Sequence, residues 1–288
     1  MGNFLKTTFL LTVLTLLVVF CGYALGGTRG VEFAFVFACV MNFASYRFSD
    51  KIVLSMYRAQ PLVENEAPEV FDIMRQLSKK AGIPVPRLYM LPSASANAFA
   101  TGRDPKHAAV AMTHGIVGLL NKEELSGVLG HELAHILNRD ILLSSIVATL
   151  AGALGMIASM FRGSFFWGGE RDGHDKGHPL ALVLIAILMP VIAALIRLSI
   201  SRSREYGADE RGAKLCEDPL YLASALKKID VASQRLPLRD AEPATAHLFI
   251  MNPLSGKGWS ALFSTHPSTE DRVARLMAMT GQEGQSYF

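Results

Sequence analysis

Apolar residues in this chain gather into four long runs, and the stretches between them alternate polar and apolar positions at the short periods of a water-facing fold. Phe9 to Leu25 is almost purely apolar and long enough to cross a hydrocarbon core of about 30 Å. The turn Gly26-Gly27-Thr28-Arg29-Gly30 follows, and Val31 to Tyr46 returns as a weaker span with Glu32 at one end and Asn42 inside. A cleaved signal peptide has a shorter apolar region, about 7 to 15 residues. The second run directly behind the first therefore favours a retained hairpin. Ile141 to Phe161 and Leu180 to Ile200 form a second pair, with Pro190 as a kink in the last run. Between them lies the polar, glycine-rich loop Arg162 to His178.

The intervening segments carry shorter signals. Ala67-Pro68 opens a helix whose apolar positions Val70, Phe71, Met74 and Leu77 recur at helical spacing, and Gly82 with Pro84 closes it. Arg87 to Leu91 and Ala108 to Thr113 are short, apolar and bounded by proline or glycine, as strands of a small sheet are. Asn121 followed by Glu124 at the third helical position is a capping-box pattern, and Leu125, Val128, Leu129 and Leu133 give the helix behind it an apolar face.

The expected fold is a mainly α membrane protein: four transmembrane helices plus a cytoplasmic α+β domain with a small β-sheet. Residues 4–48 form the first hairpin, 49–140 the first part of the cytoplasmic domain, 141–200 the second hairpin and 201–288 the second part of that domain. Composition agrees, since 50% hydrophobic content and a mean hydropathy of +0.29 are high for a soluble protein of 288 residues. Arg47, Lys51 and Arg58 follow the first hairpin, Arg139 precedes the second, and Arg202, Arg204 and Arg211 follow it. By the positive-inside rule these flanks, both termini and the domain between and after the hairpins are cytoplasmic. The net charge of +3 is mild and its basic residues sit beside apolar segments, so there is no nucleic-acid footprint. Cys21, Cys39 and Cys216 show no Cys-x-x-Cys spacing and suit buried apolar positions better than a disulfide framework.

The candidate chemistry lies in His131-Glu132-Leu133-Ala134-His135. Two histidines four apart share a helix face, so their imidazoles can grip one ion, zinc being the natural choice. Glu132 points about 100° around the helix, to the flank of such a site, where a carboxylate can take a proton from water activated by the ion. A zinc hydrolase needs a third protein ligand, and Glu205 is the candidate, emerging from the fourth apolar run as His135 enters the third. Asp209, one helical turn later, can accept the free ring N–H of a zinc histidine. The bland alternative for that pair is a solvated charged face. His135 precedes Ile141 by six residues, about 9 Å along a continuous helix, which sets the ion close to the membrane surface.

The chain resembles the HtpX-type membrane-bound zinc metalloproteases, relatives of the CAAX prenyl proteases, over nearly its whole length. The resemblance is carried by His-Glu-Leu-Ala-His at 131 to 135, Glu205-Tyr-Gly-Ala-Asp209, Asn97-Ala98-Phe99-Ala100-Thr101-Gly102 and the segment Ser264 to Arg272 that contains His266-Pro267. It implies that the cytoplasmic α+β domain is a zincin-like catalytic domain, with one zinc ion per chain held by His131, His135 and Glu205, Glu132 as general base, and Asp209 orienting a ligand. It further implies cytoplasmic cleavage of misfolded or damaged membrane proteins in a bacterial inner membrane, so that the partners are such substrates and membrane lipid. Asn97, Ala98 and Phe99 resemble the edge strand on which related proteases bind an extended substrate backbone; an ordinary loop entering the sheet is the alternative.

The oxyanion of a peptide-hydrolysis transition state needs a facing cation or hydrogen-bond donor. His266 is the candidate, with Arg272 as its neighbour or as an anchor behind the ligands; a cap on the helix beginning near Ser268 explains His266 equally well. His174 and His178, beside Asp172 and Asp175, sit among loop glycines and are weak metal candidates, and His107, His114 and His247 are assigned no chemistry. Two rival functions are a CAAX-type prenyl-peptide protease, disfavoured by only four spans, and a non-cleaving membrane scaffold or chaperone. The intact Glu132 argues against the scaffold, since a structural zinc site closes with a fourth ligand and needs no base.

Overall fold

The structure is a computed structural model that describes residues 3–152, 201–238, 245–253 and 267–283. Its first element, α1 (Asn3–Met56), is helical on both sides of Gly27, whose φ of 58° and ψ of −141° reverse the chain. Only glycine takes that conformation without a steric cost. The two legs fold onto each other, because Asn42 Nδ2 donates to Thr15 Oγ1 at 2.8 Å across 27 residues of sequence. The second leg, Gly26–Met56, has 31 residues and is the one helix among the described residues long and apolar enough to cross a membrane. It exposes Phe33, Phe35, Phe37 and Phe43. The third and fourth apolar runs lie mostly at 153–200, outside the described residues.

That leg also runs past Tyr46, where the apolar pattern led us to end the span, because its last turns change partner instead of stopping. Val53, Leu54 and Tyr57 are buried against the sheet face formed by Phe99, Ala109 and Ala111. One helix is thus both span and lid of the sheet.

The sheet has four strands in the order β1-β2-β4-β3: β1 (Gln60–Pro61), β2 (Arg87–Leu91), β3 (Ala98–Gly102) and β4 (Ala108–Thr113). β2 and β4 are parallel, with Leu88 opposite Val110, and β3 runs antiparallel to β4, with Ala100 opposite Val110. Every residue of β3 and β4 is buried, which is why neither strand alternates. The face opposite α1 packs on helices. α2 (Pro68–Ala81) ends at Gly82 with φ 67° as its sequence predicts, and α3 (His114–Leu119) leads into α4 (Lys122–Leu137). Asn121 closes the expected capping box with Glu124. α6 (Arg202–Cys216), α7 (Pro219–Arg235) and α8 (Thr269–Glu283) complete this layer, with Met74, Val128, Leu129, Leu226 and Leu276 in one core.

α4 does not continue into the third apolar run. Arg139 takes a left-handed φ of 57°, and α5 (Asp140–Gly152) leaves at 88° to α4. The 9 Å of continuous helix expected between His135 and Ile141 is therefore a corner. Ile146, Val147 and Leu150 of α5 are buried inside the protein.

Candidate metal centre

The site is made where α4 and α6 cross, and their closeness comes from missing side chains. A Cβ on Gly212 would lie 2.7 Å from the His131 nitrogen, and one on Gly130 would lie 2.6 Å from Cys216 Sγ. Bare backbone facing backbone brings Glu205 to the two histidines. His131 Nε2 and His135 Nε2 are 3.1 Å apart, His131 Nε2 is 3.9 Å from Glu205 Oε2, and His135 Nε2 is 3.7 Å from Glu205 Oε1. Ligands about 2.0 to 2.2 Å from a tetrahedral zinc stand about 3.3 to 3.5 Å apart, so these three edges bracket the required separation. The donor set of two imidazoles and a carboxylate is the one zinc hydrolases use.

Electrostatics favour a cation at the same point. Burial works to deprotonate His135, but Asp140, Glu205 and Glu132 outweigh it and hold its pKa up at about 9. Carboxylates that favour the charged imidazole also favour a metal cation beside it. Burial lowers His131 to about 4 despite its contact with Asp209, keeping it neutral as a ligand must be. The residues thus fit zinc.

Glu132 faces the same cavity and is 1% exposed. Burial raises its carboxyl to about 7, with Glu205 adding to the rise while His135 and a hydrogen bond from the Ala100 N–H oppose it. Among the described residues, Oε1 of Glu132 has no hydrogen-bond partner, and a buried polar oxygen left so is costly to maintain.

Behind His131, Nδ1 is 2.9 Å from Asp209 Oδ1. Asp209 is clasped by Arg272 through Nε at 2.8 Å and Nη2 at 2.6 Å, and Nη1 of Arg272 donates to the Ile250 carbonyl at 2.9 Å. Burial opposes ionisation of Asp209, but the Arg272 charge and its hydrogen bonds, with that of His131, hold it at about 2. Arg272 is itself buried at 1% exposure. The sequence placed Arg272 near His266; His266 lies outside the described residues, as do His174 and His178.

β3 is an edge strand of the sheet, yet its outer side is occupied. The Ile250 N–H donates to the Ala98 carbonyl at 2.9 Å, and Phe249 bridges Phe99. Asn97, 1% exposed, donates through Nδ2 to the Met251 carbonyl at 2.9 Å. Asn97, Ala98 and Phe99 thus hold the strap 245–253, and Ala100 is the β3 residue that lines the cavity. His247 lies beside the same cavity with Nε2 3.1 Å from the Ser144 carbonyl. Sequence reasoning missed Asp140, whose Oδ2 is 3.3 Å from His135 Nδ1. Its position five residues past His135 carries no signal, because on a continuous helix it would point away from the ring, and only its neighbour Arg139 enters the sequence reading, as a topological charge.

A fold in which a HELAH helix and a Glu205 helix converge on one ion-sized point beneath a small mixed sheet defines a metallopeptidase. The model of peptidase family M48 matches residues 64–280, and the chain belongs to that family as an HtpX-type metalloprotease. A protease HtpX homolog of Syntrophobacter fumaroxidans is 53% identical over 97% of this chain and 100% of its own length. One of Thermococcus sibiricus is 47% identical over 100% and 99%. The crystal structure of S. mikatae Ste24p shares the fold, with a TM-score of 0.53 at 19% identity, covering 91% of this chain and 62% of that one. This chain therefore spans less than two thirds of the Ste24p chain.

Proposed function

We propose that the chain is an integral-membrane zinc endopeptidase that cuts misfolded or damaged membrane proteins at the cytoplasmic face of a bacterial inner membrane. The observation that carries the reading is the convergence of His131, His135 and Glu205, whose ligand atoms all lie within 4.8 Å, beside the unpaired Glu132 oxygen. Zinc bound there supplies a Lewis acid that polarises a carbonyl and acidifies water. Glu132 accepts the proton and returns it to the leaving amine, a role suited to a carboxyl held near 7. Arg272 and Asp209 keep His131 in one tautomer, and the burial of all three strengthens these interactions. His266 faces the oxyanion in this reading. The Asn97-Ala98-Phe99 edge offered to a substrate by the sequence is taken by the strap 245–253, so in this reading an extended substrate lies against that strap and Ala100 at the cavity. Four spans carry the catalytic parts 49–140 and 201–288 on one side of the membrane, with 4–48 and 141–200 as the two hairpins. The apolar Gly26–Met56 leg supports the membrane location.

The test uses the full chain in detergent, with metal measured by elemental analysis and cleavage followed on an unfolded membrane protein. One zinc per chain and chelator-sensitive cleavage are expected. Glu132→Gln keeps the zinc and loses about 10²- to 10⁴-fold in turnover. Zinc-loaded Glu132→Gln with wild-type turnover overturns the mechanism, and selective cleavage of prenylated peptides over unfolded chains overturns the substrate class.

A further inference from the structure

His135 has a support that mirrors the one on His131. His131 turns Nδ1 to Asp209, which Arg272 clasps; His135 turns Nδ1 to Asp140 Oδ2 at 3.3 Å, and Asp140 Oδ1 stands 3.9 Å from Arg204 Nη1. Asp140 is 5% exposed, so its charge is held away from water beside these two groups. Since His135 Nε2 faces His131 and Glu205, Nδ1 is the ring nitrogen left for a carboxylate.

The break between α4 and α5 creates this contact. On an unbroken helix a residue five positions on lies about 140° around the axis, pointing away from His135. The left-handed Arg139 and the 88° corner place Asp140 at the first position of α5, within reach of the ring. Arg204 is the immediate neighbour of Glu205 in α6, so one carboxylate and one guanidinium join the three helices that surround the metal group.

We propose that Asp140 is a positioning residue for the metal: it accepts the Nδ1–H of His135, fixing the tautomer that turns the Nε2 lone pair toward the ion, with the Arg204 charge beside it at ion-pair distance and not hydrogen-bonded to it. The proposal rests on the zinc reading above. Asp209 and Asp140 then divide the work, one histidine each, and α5 becomes part of the metal site's frame. The same carboxylate, were it only an ion-pair partner of Arg204, would matter for melting temperature and not for zinc affinity.

The experiment measures zinc affinity of the full-length, detergent-solubilised protein by competition with a chromogenic chelator, alongside the melting temperature of each zinc-free variant. Asp140→Asn is expected to bind zinc about 10- to 100-fold more weakly. Asp140→Glu, which keeps an anionic acceptor, recovers part of that loss. An Asp140→Asn protein with wild-type zinc affinity overturns the proposal, as does Asp140→Glu losing as much as Asp140→Asn. NMR of nitrogen-labelled histidine in the zinc-loaded wild type covers the case in which the variants do not fold: a proton on Nδ1 of His135 is expected, and metal on that nitrogen refutes the assignment. Failure of the wild type to bind zinc at all is a distinct outcome, which removes the metal reading and this proposal together.

Discussion

Arg272 is a fully buried cation that hydrogen-bonds two oxygens of Asp209 and the carbonyl of Ile250. Removing one member of a buried pair leaves the other charge stranded, at a cost of about 3 to 5 kcal/mol. Arg272→Met is therefore expected to destabilise the protein by that amount in denaturant unfolding and to loosen zinc, because Asp209 loses the partner that holds it against His131. A drop of less than about 1 kcal/mol, the range of exposed pairs, would refute this account. The two histidines and Glu132 were legible in the sequence because helical spacing puts them on defined faces, whereas Glu205 was reached from its place after the fourth apolar run and from the family resemblance, spacing alone favouring a solvated charged face. Asp140 was not, since its reach depends on a positive φ at Arg139, a residue with no glycine or proline signal.

The crossing of α4 and α6 depends on bare backbone at Gly130 and Gly212, whereas Gly207 on the same helix has open space around its Cβ position. Gly207→Ala is expected to be neutral or to stabilise by up to about 1 kcal/mol through helix propensity. Gly212→Ala must push the two helices apart, and it should lower the melting temperature and weaken zinc binding together. Equal melting temperatures for the two variants would mean that the close approach is not what assembles the site. α2, α4 and the strands β2 and β4 could be drawn from the sequence because caps, glycines and apolar runs mark their ends. The strap 245–253 could not: it has no period of its own and takes its shape from the β3 edge and from Arg272. For the same reason the helix running on past Tyr46 was not foreseen, as hydropathy registers the end of an apolar run but not the sheet on which the next turns pack.

Across the whole molecule, the first turn of α4 is tied to α7 through Glu124, which accepts from Ser224 Oγ at 2.6 Å, Lys228 Nζ at 2.7 Å and the Asn121 N–H at 3.1 Å. Burial works against its ionisation, but the hydrogen bonds from Lys228, Ser224 and Asn121 outweigh it and hold its pKa below the usual 4.5. A carboxyl with a depressed folded-state pKa adds stability that is fully present above its unfolded value and is lost as pH falls through the folded one. Thermal melts of the wild type should therefore fall as pH drops below 4.5, and Glu124→Gln should flatten that part of the profile while lowering the melting temperature at neutral pH. Parallel profiles for the two proteins would place the acid sensitivity elsewhere.

The clasp of Arg272 on Asp209 also sets a schedule. Arg272 lies 141 residues after His131, and Glu205 and Asp209 lie between them. At a synthesis rate of about 5 to 20 residues per second, about 7 to 28 s separate the first zinc histidine from the residue that locks its orientation. For that interval the nascent chain exposes a HELAH helix that lacks first its carboxylate ligand and then its clasp. The site as the structure assembles it is therefore complete only once Arg272 has been made.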